Sequence, residues 1–368
     1  MKKITLILLL ILTICFSYSY AKVDLSLQKE IEHSIKLGLR WLVTQQEEDG
    51  SWQHYPAITA LSVMAILRSN PGISYEFPPV KKGLNFIFDC ARLDGSIHLG
   101  ELPNYNTSIC LMALKEAKDP KNDELILKAE KYLLKFQLDE DEGYSPDSLC
   151  YGGVGYGGDE RPDLSNLQWA LEAMLEREVI PSDEINFQKK EIKNKKDKEV
   201  FLNRAIIFLQ RCQNFKEYNP ESYSGDDGGF MYEPGKSKLG GTTSYGSMTY
   251  AGLKSMIYAK LGKDDPRVKA AFDWINKHFV VESTPEMGNQ GLFYYYQVMA
   301  KALNAYDCDY IVSDDGIKHN WRKELANQLM KIQNEQSWWQ NENVRWCENN
   351  KLLVTAYSIL SLEEIMRG

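Results

Sequence analysis

Apolar residues along this chain recur at helical spacing, in pairs of segments joined by polar, Gly-containing turns. Between about Glu30 and Gln46, Ile31, Ile35, Leu39 and Leu42 form a single apolar stripe. The turn Asp49-Gly50-Ser51-Trp52 follows, and a second helix is predicted from about Ala57 to Arg68. The alternation continues with Val80 to Phe88, a turn at Asp94-Gly95-Ser96, and a helix from Thr107 to about Ala117. Ala129 to Gln137 leads through an acidic stretch and a Gly- and Tyr-rich loop to a helix start at Asp163-Leu164-Ser165-Asn166. Ala205 to Gln213 pairs with Ser247 to Lys260, and Val268 to Phe279 with a helix opening at Leu292. Trp321 to Gln333 and Leu352 to Met366 complete six hairpins. Repeats of this period stack into one continuous core. Strong apolar faces on the terminal helices favour closing the hairpins into a double ring, with an open superhelix as the alternative.

The first residues change the picture of where the chain works. Lys2 and Lys3 precede the apolar run Ile4 to Phe16, and Ser19-Tyr20-Ala21 fits a small-x-small cleavage site. A signal peptide over residues 1–21 is therefore expected, leaving 22–368 as one domain of an exported, periplasmic or extracellular protein. A polar Lys/Glu-rich insertion at about 181–198 reads as a solvated connector. No later apolar run approaches the roughly 20 residues of a transmembrane helix. Cys90, Cys110, Cys150, Cys212, Cys308 and Cys347 form no CxxC pair and read as small hydrophobes. The formal charge of -8 argues against nucleic acid or anionic lipid as a partner.

Gly38, Gln45, Gly50 and Trp52 resemble the Q-W repeat of squalene and oxidosqualene cyclases. The alternations elsewhere resemble protein prenyltransferase beta subunits. Over about residues 30 to 366 the chain is similar to the prenyltransferase/squalene-oxidase repeat superfamily. The resemblance implies an all-α fold, an alpha/alpha toroid of six helical hairpins closed as a double ring of helices. In it Gln45 is expected to bond backbone groups at a helix end, Trp52 to pack across the junction, and Gly50 to permit a tight turn.

The chemistry that the resemblance implies is not spelled out here. Class II terpene cyclases use a D-x-D-D motif, and the chain has none. Asp139-Glu140-Asp141-Glu142 comes closest in an inter-helix loop, and Asp307-Cys308-Asp309-Tyr310 lacks the last acid. The Asp, Cys and His zinc set of protein prenyltransferases is not reproduced, and His33, His54, His98, His278 and His319 are scattered singly. No metal set or cofactor is predicted, and there is no P-loop, nucleophile elbow or H-E-x-x-H motif.

In such a ring the loops entering the inner helices converge on one mouth, where helix N-termini favour anions. The ligand-binding candidates are His54, Tyr105, Asn106, Asn166, Tyr232, Tyr245, Gln290, Tyr294, Tyr295 and Trp346. Asp163, Asp226 and Asp227 are the first acids to consider as catalytic groups. Helix capping and junction packing are the competing roles for each of them. The expected function is recognition of a partly apolar small molecule, a glycan or a protein partner. The alternative is an enzyme acting on terpenes or polysaccharides, and catalysis stays open.

Overall fold

The computed structural model of the chain describes residues 23–157, 161–175 and 184–367. The expected signal peptide lies outside the described residues. Twelve α-helices alternate between two burial patterns. The odd-numbered helices are α1 (Leu25–Thr44), α3 (Pro78–Asp89), α5 (Asp123–Leu134), α7 (Glu184–Cys212), α9 (Pro266–His278) and α11 (Trp321–Ile332). Where described, they bury one stripe each, such as Leu27, Ile31, Ile35 and Leu42 on α1, and so lie outside. The even-numbered helices are α2 (Pro56–Arg68), α4 (Pro103–Ala117), α6 (Leu164–Leu175), α8 (Gly246–Tyr258), α10 (Leu292–Tyr306) and α12 (Lys351–Met366). They are buried nearly all round. A helix wrapped by protein on every side belongs inside.

The inner helices pack in chain order, α2 on α4, α4 on α6, and so on to α10 on α12, and α12 returns to α2. Outer helices lean on the preceding inner one: α3 on α2, α5 on α4, α9 on α8, and α1 on α12. That last pair joins the two ends, so the ring is closed and the fold is an α/α toroid. Strand structure among the described residues is confined to Ile311–Val312 paired with Lys318–His319. From Glu184 onward the expected insertion is the first part of α7, a 29-residue helix continuous with the outer segment. Its many Lys and Glu residues favour helix on propensity alone.

A repeated side-chain bond holds the hairpins in register. The Gln46 amide donates to the carbonyls of Gly50, at 2.9 Å, and Pro79, at 2.8 Å. Gln137 does the same to Gly152 and Phe201 at 3.1 and 2.9 Å. Gln213 donates to Gly228 and Arg267, both at 2.9 Å. Gln333 donates to Ser337 and Ser34, both at 3.1 Å. Each amide thus ties its own turn to the next outer helix, and Gln333 ties the last unit to α1. The sequence reading placed this role on Gln45, one residue too early. Gln45 is exposed and reaches only the Thr44 hydroxyl.

Trp52 is fully buried and donates its indole N–H to Leu42 O at 2.8 Å, and Trp339 does the same to Leu329 O. The turn glycines are required by close approach. Gly50 and Gly228 have φ of +88° and +83°, and a Cβ there would stand 2.5 and 2.3 Å from the carbonyl oxygens of Lys82 and Ala270. Gly240 has a similar φ of +92° in open space. Gly228→Ala is expected to lose more stability in urea unfolding than Gly240→Ala, which bears only the dihedral cost of about 1–3 kcal/mol. Equal losses would contradict the tight seating of turn against helix.

Candidate functional site

Successive inner helices run the same way round the ring, so their first turns meet at one end. A cavity of about 560 Å³ lies there. Its wall takes Tyr55 and Ile58 from the start of α2, Leu102 and Tyr105 from α4, and Asn166 and Trp169 from α6. Tyr245 and Met248 come from α8, Tyr294 from α10, and Leu353 and Tyr357 from α12. Tyr156 and Tyr232 are supplied by loops. Trp169 stands edge-on to Tyr105 with ring centres 6.1 Å apart, and 6.4 Å from Tyr294.

Five of the seven wall phenols pair their hydroxyls with another phenol or with a serine hydroxyl. Tyr105 meets Tyr357 at 3.2 Å, Tyr156 meets Tyr232 at 3.3 Å, and Tyr294 meets Ser165 at 3.2 Å. Burial pushes the pKa values of Tyr105, Tyr294 and Tyr357 upward, so these phenols stay neutral. With their polar tips satisfied, the rings offer mainly apolar faces.

Two buried carboxyls belong to this end. Asp163 is the cap of α6, its oxygens accepting from the Asn166 N–H at 2.8 Å and the Asn166 amide at 2.7 Å. Burial outweighs those bonds and pushes its pKa up to about 6. Glu348 lies on the cavity wall and accepts from the Tyr294 N–H at 2.8 Å and the Asn341 amide at 2.7 Å. Burial pushes its carboxyl up to about 7.

The rim carries backbone strain. Gln53, Leu102, Trp346 and Cys347 all line the cavity and have φ of +61°, +44°, +55° and +61°. Left-handed non-glycine residues are costly and gather at binding sites. Asn350 donates to Gln53 across the seam between the last and first units. At the closed end, Glu172 lies one turn below Trp169 and receives Lys254 and Lys301. Burial disfavours its charge, but the two ammoniums outweigh that and hold it down at about 2.

The structure gathers Tyr105, Asn166, Tyr232, Tyr245, Tyr294 and Trp346 on the cavity wall, as read from sequence. Asp163 stands behind Asn166. The other candidates are spent elsewhere. Asn106 caps α2 through the Ala57 N–H, and Tyr295 donates to Val280 O outside the wall. His54 is exposed and bonded to Asp49, while Gln290 meets Arg345 away from the wall. Asp226 and Asp227 are exposed in the turn before α8; Asp226 accepts from the Lys216 N–H, and Asp227 from the Gly229 N–H and the Ser244 hydroxyl. Sequence reasoning missed Trp169, Tyr357 and Glu348. The first two sit a turn or more inside their helices, and Glu348 is two residues beyond Trp346 in the same loop. Among the described residues no group of three His, Cys, Asp or Glu is placed to hold a metal. None of the described helices is long and apolar enough to cross a membrane.

No protein-family model matches this chain, and no curated protein matches it. Solved structures do. A variant of the type II terpene cyclase MstE from Scytonema, in its apo form, aligns over 94% of this chain and 99% of its own, at 11% identity and a TM-score of 0.58. An inactive variant of an alpha-1,6-mannanase from a Salegentibacter species, in complex with alpha-1,6-mannotriose, aligns over 92% and 99%, at 8% identity and a TM-score of 0.58. A glycosidase variant aligns over 94% and 99%, at 12% identity and a TM-score of 0.54. At these identities the likeness is one of fold, and it agrees with the α/α toroid traced from the helix order.

The raised carboxyl gives a signed pH effect. Glu348 titrates at about 7 in the folded chain against an ordinary 4.5, so between those values the folded state holds the extra proton. Its contribution to stability is therefore full below the lower value and is lost as pH rises through the upper one. Urea unfolding across a pH series should show the wild type losing stability relative to Glu348→Gln between about pH 5 and about pH 7.5. A constant difference would show that Glu348 is not held protonated.

Proposed function

We propose that the cavity binds a single partly apolar organic molecule, with its apolar part against the tyrosine and tryptophan faces and its polar end near Glu348 and Asn350. The observation that carries this reading is the paired hydroxyls, which leave apolar ring faces around a space of about 560 Å³. That volume falls in the range of small-molecule sites. The aromatic surface faces inward rather than outward, which favours a small ligand over a protein partner. Structures of the same fold hold molecules of two classes. One variant of MstE is in complex with geranylgeranyl dihydroxybenzoate, its substrate, and the mannanase variant with alpha-1,6-mannotriose. The satisfied hydroxyls leave few free groups for a sugar, so an isoprenoid-like chain is the better fit. Export to a periplasmic or extracellular setting remains part of this proposal, resting on the N-terminal sequence alone.

A second reading has its own observation. Glu348 lies on the wall of the aromatic cavity, and burial raises its pKa to about 7. A carboxylic acid kept protonated near neutral pH is suited to donate a proton to a bound ligand. In that case the cavity is an active site and Glu348 its acid.

Trp169 and Trp346 line the cavity and report on its contents. Titration with geranylgeranyl dihydroxybenzoate should change tryptophan fluorescence saturably, and alpha-1,6-mannotriose should not. Tyr357→Leu, which removes one aromatic face, is expected to weaken binding about tenfold. Saturable binding of mannotriose without the isoprenoid would overturn the proposal. Product in the same incubations, lost in Glu348→Gln with binding retained, would establish the second reading.

A further inference from the structure

The first turn of every inner helix leaves backbone N–H groups without a partner in the helix. In most of the ring a side chain answers them. Asn106 takes the Ala57 N–H of α2, Asp163 the Asn166 N–H of α6, Glu348 the Tyr294 N–H of α10, and Asn350 the Leu352 N–H of α12. At α8 no side chain does. The Gly246 N–H reaches Pro285 O at 3.3 Å, but the N–H groups of Ser247 and Met248 have no partner among the described residues. Ser247 and Met248 are buried, and both line the cavity. Buried N–H groups are ordinarily paired, so these two require an account.

Two hydroxyls beside them are equally free. Beyond the five paired wall phenols, Tyr55 receives the Asn106 amide at 3.4 Å. The seventh, Tyr245, immediately precedes α8. It is 1% exposed and bonds the protein through its backbone alone, its N–H to Phe230 O and its carbonyl to the Thr249 N–H and hydroxyl. Burial, with Tyr294 and Asp163 nearby, pushes its pKa well up, so the phenol keeps a proton to donate. The Ser247 side chain, 4% exposed, likewise has no hydrogen-bond partner among the described residues. Neither oxygen is among the sealed, unpartnered side-chain atoms of the chain, so both open on the cavity that their residues line. The backbone here is held fast: a Cβ on Gly246 would stand 2.5 Å from Pro285 and 2.9 Å from Tyr295.

We propose that the start of α8 binds a carboxyl or ester group of the cavity ligand, whose oxygens accept from the Tyr245 and Ser247 hydroxyls and the free first-turn N–H groups. The inference rests on the cavity reading and narrows its ligand from an apolar molecule with a polar end to an isoprenoid-like acid or ester. The group types decide this. Two of the four free groups can only donate and the other two can donate as well, so an acceptor is what completes them. The positive end of the helix favours electron-rich oxygen at that point. α8 packs against α10, whose first turn is bonded by Glu348, so the site adjoins the polar end already assigned to the ligand. Donors fixed before the ligand arrives need little ordering on binding.

The test compares three ligands on one branched isoprenoid skeleton: the hydrocarbon phytane, phytanic acid and methyl phytanate. Binding to the full chain is read from the fluorescence of the cavity tryptophans. The acid or the ester is expected to bind about tenfold more tightly than phytane. Preference for the acid makes the group a carboxylate, and preference for the ester makes it an uncharged carbonyl. The Tyr245→Phe/Ser247→Ala double variant should melt at or above the wild-type Tm, because neither hydroxyl bonds the protein. It should lose about tenfold in affinity for the preferred carbonyl ligand and change phytane binding by less than about twofold. Phytane binding as tightly as both carbonyl ligands would overturn the proposal, as would undiminished affinity of the double variant. Should that variant not fold, the carbonyl stretch of bound methyl phytanate decides: it should lie lower in wild type than in Tyr245→Phe, and identical frequencies would count against the site. Saturable phytane binding without carbonyl preference leaves the cavity reading standing and sinks this inference alone; no binding by any of the three sinks both.

Discussion

The amide of a glutamine at the end of an outer helix is the interaction on which the remaining architecture depends. It donates at once to the turn that follows and to a carbonyl of the next outer helix, as Gln46, Gln137 and Gln213 show. A helix end leaves backbone groups unpaired, and a loop pressed into the protein leaves more. One side chain answers part of both needs while fixing the distance between neighbouring hairpins. Repeated round the chain, the bond brings Gln333 back to Ser34 of α1, where the Ser34 hydroxyl also donates to the Gln333 carbonyl oxygen at 2.7 Å. Closure is thus built from the same contact as the junctions made by Gln46, Gln137 and Gln213.

The site follows from closure. A ring of parallel inner helices gathers its first turns at one end, and the aromatic residues of those turns wall a single cavity. The other end is filled with charge. Arg68 pairs with Glu116, Lys115 with Glu130, and Glu172 with two lysines. Such pairs add little to stability compared with apolar packing, but they deny an apolar ligand a way through. Leu102 and Trp346 carry left-handed backbone on the open rim, where a ligand would pass.

The hairpins were legible because each outer helix carries a stripe and each turn carries Gly or Ser beside an aromatic or aliphatic anchor. Closure was legible only through the resemblance and the apolar ends of the chain, since no local pattern encodes which helix meets which. The slip from Gln46 to Gln45 is the usual uncertainty of a helix end, where neighbouring residues point to different partners. Loop residues such as Tyr245 and Trp346 were found because they flank helix starts. Trp169 and Tyr357 were not, because i+3 and i+7 neighbours reach the same cavity from within the helix. Asp226 and Asp227 looked like paired acids, yet an Asp before Gly in a tight turn commonly bonds its own backbone, as Asp227 does with the Gly229 N–H, while Asp226 accepts from the Lys216 N–H. Burial decides between such roles, and the sequence carries burial only indirectly.

Closure of the ring between its first and last hairpins can be measured as a distance. Spin labels at Lys36→Cys on α1 and Lys331→Cys on α11, both exposed, would flank the Gln333–Ser34 junction. The labels require a Cys347→Ser background, because Cys347 is exposed. Neighbouring helix axes lie about 8–10 Å apart, so the closed toroid predicts one narrow, short distance distribution. A broad or long distribution would mean that the ends stand apart, and the shared mouth and its cavity would not exist.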